Sequence, residues 1–189
     1  MTGAIIQITV LLTGLVAADA GPPSNDRAKT PTRAEVESAL AKEGGPGELQ
    51  RWAATADGIL TVVAADRAAS ETVRGRALSA LAYARTSRAH AFLENFIIAK
   101  TPSSAPVDRV LLRRAAASLG WQGGPRVVEV VAPLLDHSDA DVRLDAAAAL
   151  GLSRAREAEA PLRARLALET DAGVRRQIEA ALKSVTAAR

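Results

Sequence analysis

The chain has 189 residues, enough for one modest domain or one short solenoid; 48% are hydrophobic but only 3% aromatic, so alanine carries much of the apolar surface. It contains no cysteine, which excludes disulfides, a thiol nucleophile and a cysteine-linked lipid anchor. Lys+Arg exceed Asp+Glu by 24 to 21, and the net charge of +3 is too small by itself to imply nucleic acid.

An apolar run from Ala4 to Ala17 leads to Ala18-Asp19-Ala20, a small-residue cleavage pattern before Gly21. Residues 1–20 read as a secretory signal, with an n-region whose only positive charge is the α-amine. The run is short and contains Gln7, Thr9 and Thr13, a poor membrane span, so membrane contact is expected only if the segment stays uncleaved. The expected location is periplasmic or secreted, and an exported chain without disulfides must rely on packing. Residues 21–32, GPPSNDRAKTPT, read as a flexible leader. Thr32 can cap a helix over 33–43, with Glu35 at the capping-box position, and Gly44-Gly45-Pro46-Gly47 ends it. A second helix is expected over 48–65, carrying Leu49, Trp52, Ile59, Leu60 and Val63 on one face, although Gly58 weakens its middle.

From there one spacing recurs. Val73…Leu81, Leu111…Leu119, Val142…Leu150 and Val174…Leu182 each place a branched apolar residue eight positions before a leucine. Ala77, Ala115 and Ala146 stand at the fourth position of the first three, and Ile178 in the last. The starts step by 38, 31 and 32 residues, a period that signals stacked helical hairpins, none of which buries its apolar face alone. Ser70, Asp139 and Asp171 stand three residues before a motif start, where a side-chain oxygen can accept the orphan amide of a helix N-terminus. Gly120 and Gly151 follow the motif leucines and read as helix ends. Shorter helices are expected over 88–99, 125–136 and 156–169, giving hairpins over 48–84, 88–120, 125–151 and 156–186, with KTPSSAP (100–106) as a surface loop. On a helical wheel Val142, Ala146, Ala149 and Leu150 share a face, as do Leu111, Ala115, Ser118 and Leu119. The fold expected is all-α: a signal segment, the leader, then an α-solenoid of about four stacked hairpins over 33–189.

The stretch Pro133-Leu134-Leu135-Asp136-His137-Ser138-Asp139-Ala140-Asp141-Val142-Arg143, continued by Ala146 to Gly151, resembles a HEAT repeat of the short kind found in phycobilin-lyase-like proteins. Pro161-Leu162, Asp171, Val174-Arg175 and Leu182 resemble the next copy. The resemblance implies that the helix opening with Asp-x-x-Val-Arg lines a concave side and its partner the convex side. The second copy departs from it, with Leu112 where the others carry Arg74, Arg143 and Arg175, which interrupts an arginine ladder.

Those motif arginines read first as stacking elements, each over a neighbouring aspartate or a helix end, with Asp139, Asp141 and Asp171 as candidate partners, and second as a shallow anion-binding stripe. The outward stripe of the motif helices takes in Gly75 and Ser79, Arg113 and Ala117, Leu144 and Ala148, Arg176 and Ala180, mostly small residues that admit a helix or extended peptide. Trp121 follows Gly120 and either covers the seam or stands exposed as an anchor, whereas Trp52 reads as core. Candidate partner-binding residues are therefore Arg74, Arg113, Leu144, Arg176 and Trp121.

Catalysis finds little support. His90 and His137 fall on different hairpins without metal-ligand spacing, and Ser103-Ser104 lie in a loop rather than a nucleophile elbow. The glycine run at 44–47 lacks the Lys-Ser/Thr of a phosphate loop, and no cofactor is called for. Glu157 and Glu159 look like solvated carboxylates. The reading is a non-catalytic repeat scaffold or adaptor for a protein partner. The alternatives are a chromophore-lyase-like enzyme subunit, implied by the resemblance, and a nucleic-acid binder using Arg76, Arg109, Arg113, Arg114 and Arg176. Nucleic acid is disfavoured by Asp108, Asp141, Asp145 and Glu179 on the same helices.

Overall fold

The structure, a computed structural model, describes residues 30–42, 50 and 53–187. The expected signal, most of the leader, the 44–47 glycine run and Trp52 lie outside the described residues. Among the described residues there are nine α-helices and no strand. Helix α1 (Arg33–Ala41) opens on the expected capping box: Thr32 Oγ1 accepts from the Glu35 amide at 3.3 Å while the Thr32 amide donates to the Glu35 carboxylate at 2.6 Å.

The helix expected over 48–65 is interrupted. Residues 53–56 form a turn and bend, and α2 covers only Asp57–Ala65. Asp57 accounts for the restart. One carboxylate oxygen accepts the Gly58 amide at 2.6 Å, holding an acid at the positive end of the helix, and the other accepts the Thr86 hydroxyl at 2.6 Å.

Four hairpins follow. They are α2 with α3 (Glu71–Leu81), α4 (Ser87–Lys100) with α5 (Pro106–Gln122), α6 (Val127–Val131) with α7 (Ala140–Ser153), and α8 (Glu159–Leu168) with α9 (Ala172–Ala187). The first helix of the third hairpin changes to 3-10 geometry over Ala132–Asp136, where Pro133 lacks an amide to continue the α ladder. A 3-10 turn, Arg156–Ala158, also precedes α8. Residues 101–105 form the expected loop. In place of the missing motif arginine, Asp108 closes it, meeting Lys100 Nζ and the Ser103 hydroxyl at 2.7 Å each.

Three of the motif helices start where their capping residues signal. Ser70 accepts the Val73 amide at 3.3 Å, Asp139 the Asp141 and Val142 amides at 2.9 and 3.3 Å, and Asp171 the Gly173 and Val174 amides at 2.7 and 2.9 Å. Leu111, Val142 and Val174, the fourth-position Ala77, Ala115, Ala146 and Ile178, and Leu81, Leu119 and Leu150 are all buried. Val73 and Leu182 pack against the same core from its margin. The second helices form the tight layer, α3 on α5, α5 on α7 and α7 on α9. The first helices touch one another less and cover the core from the other side.

The glycines that follow the motif leucines do not end helices, as the sequence suggests. Gly120 lies within α5 and Gly151 within α7, and the left-handed residues come later, at Gly123 (φ 70°), Gly124 (φ 118°) and Arg154 (φ 53°). Their role is close approach. A Cβ on Gly120 would meet the Ala149 Cα at 2.7 Å and its carbonyl carbon at 2.8 Å, and one on Gly151 the Ala181 Cα at 2.9 Å. Each motif glycine lets the next second helix lie directly on its backbone.

The motif arginines take helix ends rather than the neighbouring aspartates. Arg74 Nε donates to the Ala64 carbonyl at 3.1 Å, and Arg175 donates to the Leu166 and Glu169 carbonyls at 2.9 Å each. Arg143 donates to the His137 and Ser138 carbonyls at 2.9 and 3.1 Å and forks onto the Glu169 carboxylate at 2.8 and 3.0 Å. The chosen acceptors are the carbonyls that end each first helix or form its turn, where a cation meets unsatisfied oxygens and the negative end of the dipole, rather than Asp139, Asp141 or Asp171.

Candidate functional site

With the motif arginines committed to carbonyls, the exposed chemistry of the second-helix layer reduces to a few places. An open groove of about 560 Å³ lies where the C-terminal ends of α5 and α7 meet the middle of α9. Gly151, Ala148, Ala180 and Ala181 make a floor without long side chains, because the glycine-mediated approach of α7 and α9 requires small residues there. Trp121 and Leu152 rise beside it, 51% and 49% exposed, and Arg85 and Arg154 also line it. The Trp121 indole meets the Tyr83 ring edge-on, with centroids 6.5 Å apart and planes at 65°, which holds its orientation while leaving a face open.

The residues singled out from sequence fall in different settings. Trp121 is exposed and lines the groove, and Ala148 and Ala180, from the small-residue stripe, line it too. Arg113 is half-buried and doubly paired, Nε 2.6 Å from Asp145 and Nη1 3.1 Å from Asp141. Partial burial works against its charge, but the Asp145 hydrogen bond and the neighbouring carboxylates prevail and raise its pKa. Leu144 is partly buried against the core, Arg74 is buried on the Ala64 carbonyl, and Arg176 is exposed with Glu179 and Lys183 on the outer side of α9. The structure does not gather these residues into one patch.

The sequence reasoning missed Arg85, Leu152 and Arg154. Leu152 departs from the motif-helix face just after Gly151, a signal present in the spacing. The two arginines stand out because they line the groove with guanidinium groups that lack partners, and that requires the three-dimensional arrangement. Neither side chain has a hydrogen bond or ion pair among the described residues.

A second polar place lies at the start of α4. His90 Nδ1 is 3.0 Å from Gln122 Oε1, His90 Nε2 is 3.2 Å from Glu94 Oε1, and the other Glu94 oxygen accepts from Arg126 at 2.9 Å. Gln122 also donates to the Leu81 carbonyl at 2.6 Å. These bonds tie the α5 terminus and the Gly123-Gly124 turn to neighbouring hairpins. Among the described residues no group of three or more His, Asp or Glu side chains is arranged to hold a metal ion, and no helix is long and apolar enough to cross a membrane.

Two-helix units stacked through their second helices define a helical-repeat architecture. The family model for HEAT repeats matches residues 104–183, from just before α5 into α9, so this stretch is similar to HEAT repeats. No curated protein matches it.

Proposed function

We propose that this chain is a non-catalytic scaffold that holds a protein partner on the second-helix layer, at the groove beside Trp121 and Leu152. The observation that carries the reading is that pair of large apolar side chains, half exposed over a small-residue floor, in a molecule whose other motif positions are largely buried or bonded. Tryptophan in such a setting is the residue type that most often anchors protein interfaces. HEAT repeats generally serve protein interaction rather than catalysis, which agrees with a groove lined by no acid, histidine or other reactive pair.

We further propose export, with 1–20 as the signal, on the strength of the apolar run and the Ala18-Asp19-Ala20 pattern. Two experiments test the reading. Fractionation of cells carrying a C-terminally tagged full chain should place a shortened species outside the cytoplasm. Affinity purification with the same chain should recover a partner that survives moderate salt and is lost from Trp121→Ala. Recovery that is indifferent to Trp121 contradicts the proposed site, and a full-length cytoplasmic species contradicts export.

A further inference from the structure

The groove has a charge as well as a shape. None of its lining residues carries a carboxylate, and Arg85 and Arg154 are the cations at its margin. Elsewhere on the stack many of the basic side chains are paired. Arg113 faces two aspartates, Arg109 lies 3.4 Å from Asp139, Arg126 is shared between Glu94 and Glu129, and Arg143 and Arg165 hold Glu169. Arg67, Arg114, Arg156, Arg176 and Lys183 are exposed without such a partner among the described residues too, but none of them lines the groove, whereas Arg85 and Arg154 stand at its margin beside Trp121 and Leu152.

Arg154 carries a second signal. It ends α7 in the left-handed conformation, the only non-glycine among the described residues with positive φ. Glycine terminates a helix this way without strain, so an arginine there places a long cation beside the groove at some cost to the fold.

We infer that the groove receives an acidic amphipathic segment of a partner protein, its apolar side chains resting on Trp121, Leu152 and Ala180 and its carboxylates pairing with Arg85 and Arg154. This rests on the scaffold reading above and specifies the chemistry of its partner. A peptide fits better than a nucleic acid because the floor is apolar and short. A phosphate backbone would need a longer run of free cations, and on the next helix toward the N-terminus Arg113 is already neutralised by Asp141 and Asp145. Carboxylates meeting unpaired guanidinium groups form charge-assisted, often two-pronged hydrogen bonds, which select acids over amides.

The test is selection from a displayed library of random peptides against the full chain, followed by anisotropy titration of the enriched peptides and of duplex DNA. The expected pool is rich in Asp and Glu flanking apolar residues. Replacing those acids by their amides should weaken binding about tenfold, the loss of roughly one charged hydrogen bond. Arg154→Gly should weaken binding by a similar factor while raising the melting temperature by roughly 2–4 °C, a combination that damage to the fold cannot produce. Arg85→Glu should lose the acidic peptides and prefer their lysine-substituted forms.

A neutral or basic pool, no enrichment, tighter binding of DNA, or self-association that Trp121→Ala abolishes would each overturn the inference. If a Trp121-dependent partner is recovered from cells while acidic and amide peptides bind alike, the acidic specificity fails and the scaffold reading stands. If no such partner is recovered, the scaffold reading fails first.

Discussion

Substituting alanine for two glycines separates the packing account from helix propensity. Gly75 in α3 and Gly120 in α5 both lie within helices, where alanine is ordinarily favoured over glycine by about 1 kcal/mol. At Gly75 the new methyl would find the Arg114 Cγ and a Leu111 methyl at 3.9 Å, ordinary contact distances, so Gly75→Ala should stabilise by about that amount. At Gly120 the methyl would stand 2.7 Å from the Ala149 Cα and 2.8 Å from its carbonyl carbon. Both are backbone atoms and cannot rotate away. Relief requires α5 and α7 to separate by roughly 1 Å, loosening Leu119, Ala146 and Leu150 in the seam between them. Overpacking of this kind costs ~1–3 kcal/mol, and an unyielding neighbour puts Gly120→Ala near the upper end, leaving about 2 kcal/mol of net destabilisation. For a chain of this size that lowers the melting temperature by roughly 4–8 °C, against a rise of roughly 2–4 °C for Gly75→Ala. Thermal unfolding followed by far-ultraviolet circular dichroism reads both. If Gly120→Ala raises the melting temperature as Gly75→Ala does, the close approach of α5 and α7 is wrong.

Glu169 gives a pH test. The Arg143 hydrogen bond holds its carboxyl down to about 2 against the opposing effect of burial, with help from the Asp171 amide and Arg165. A carboxyl depressed from 4.5 to about 2 contributes up to about 3 kcal/mol, fully present above its unfolded pKa and lost as pH falls toward 2. Glu169→Gln should therefore lower stability at neutral pH and flatten the loss below about pH 4.5; parallel acid limbs for variant and parent in denaturant titrations would contradict this. Ala146→Phe should cost ~1–3 kcal/mol in the same titrations, because Ala146 is fully buried in the α5–α7 seam, and an unchanged midpoint would mean that the helical register is wrong. Trp121→Ala should change stability by less than about 1 kcal/mol, since half of the side chain is already in water, while reducing partner recovery; a large loss of stability would reassign Trp121 to packing.

What could be read from the sequence was what is local. Ser70, Asp139 and Asp171 cap helices through amides two or three residues away, and the Val-to-Leu spacing fixes a buried face by helical geometry alone. The glycines were legible only as glycines. Whether Gly120 ends a helix or admits a neighbour depends on Ala149, which its own helix does not reveal. The helix-end role of the motif arginines follows from their recurrence at helix starts, and Arg74 and Arg175 bond within their own hairpins; only Arg143 reaches the next hairpin, at Glu169, 26 residues on, a pairing the local sequence does not reveal. The interruption before α2 is hidden because the apolar spacing runs through residues 53–56 unbroken, while the bonds of Asp57 restart the helix. At the groove, Trp121 stands out by type, whereas Arg85 and Arg154 become notable only once the fold sets them at its margin.

The claim on which the functional account rests is that partners dock beside Trp121 on the second-helix layer. Photocrosslinking tests it most directly, with a photoreactive residue placed at Ser184, which lines the groove and leaves Trp121 intact, or, for comparison, at Arg163, an exposed position on the first-helix side of the last hairpin. The account predicts one discrete crosslinked partner from position 184 in native cells, absent from position 163 and diminished by Trp121→Ala and by Arg154→Gly. Equal yields from the two positions, or a partner captured from position 163 alone, would contradict it.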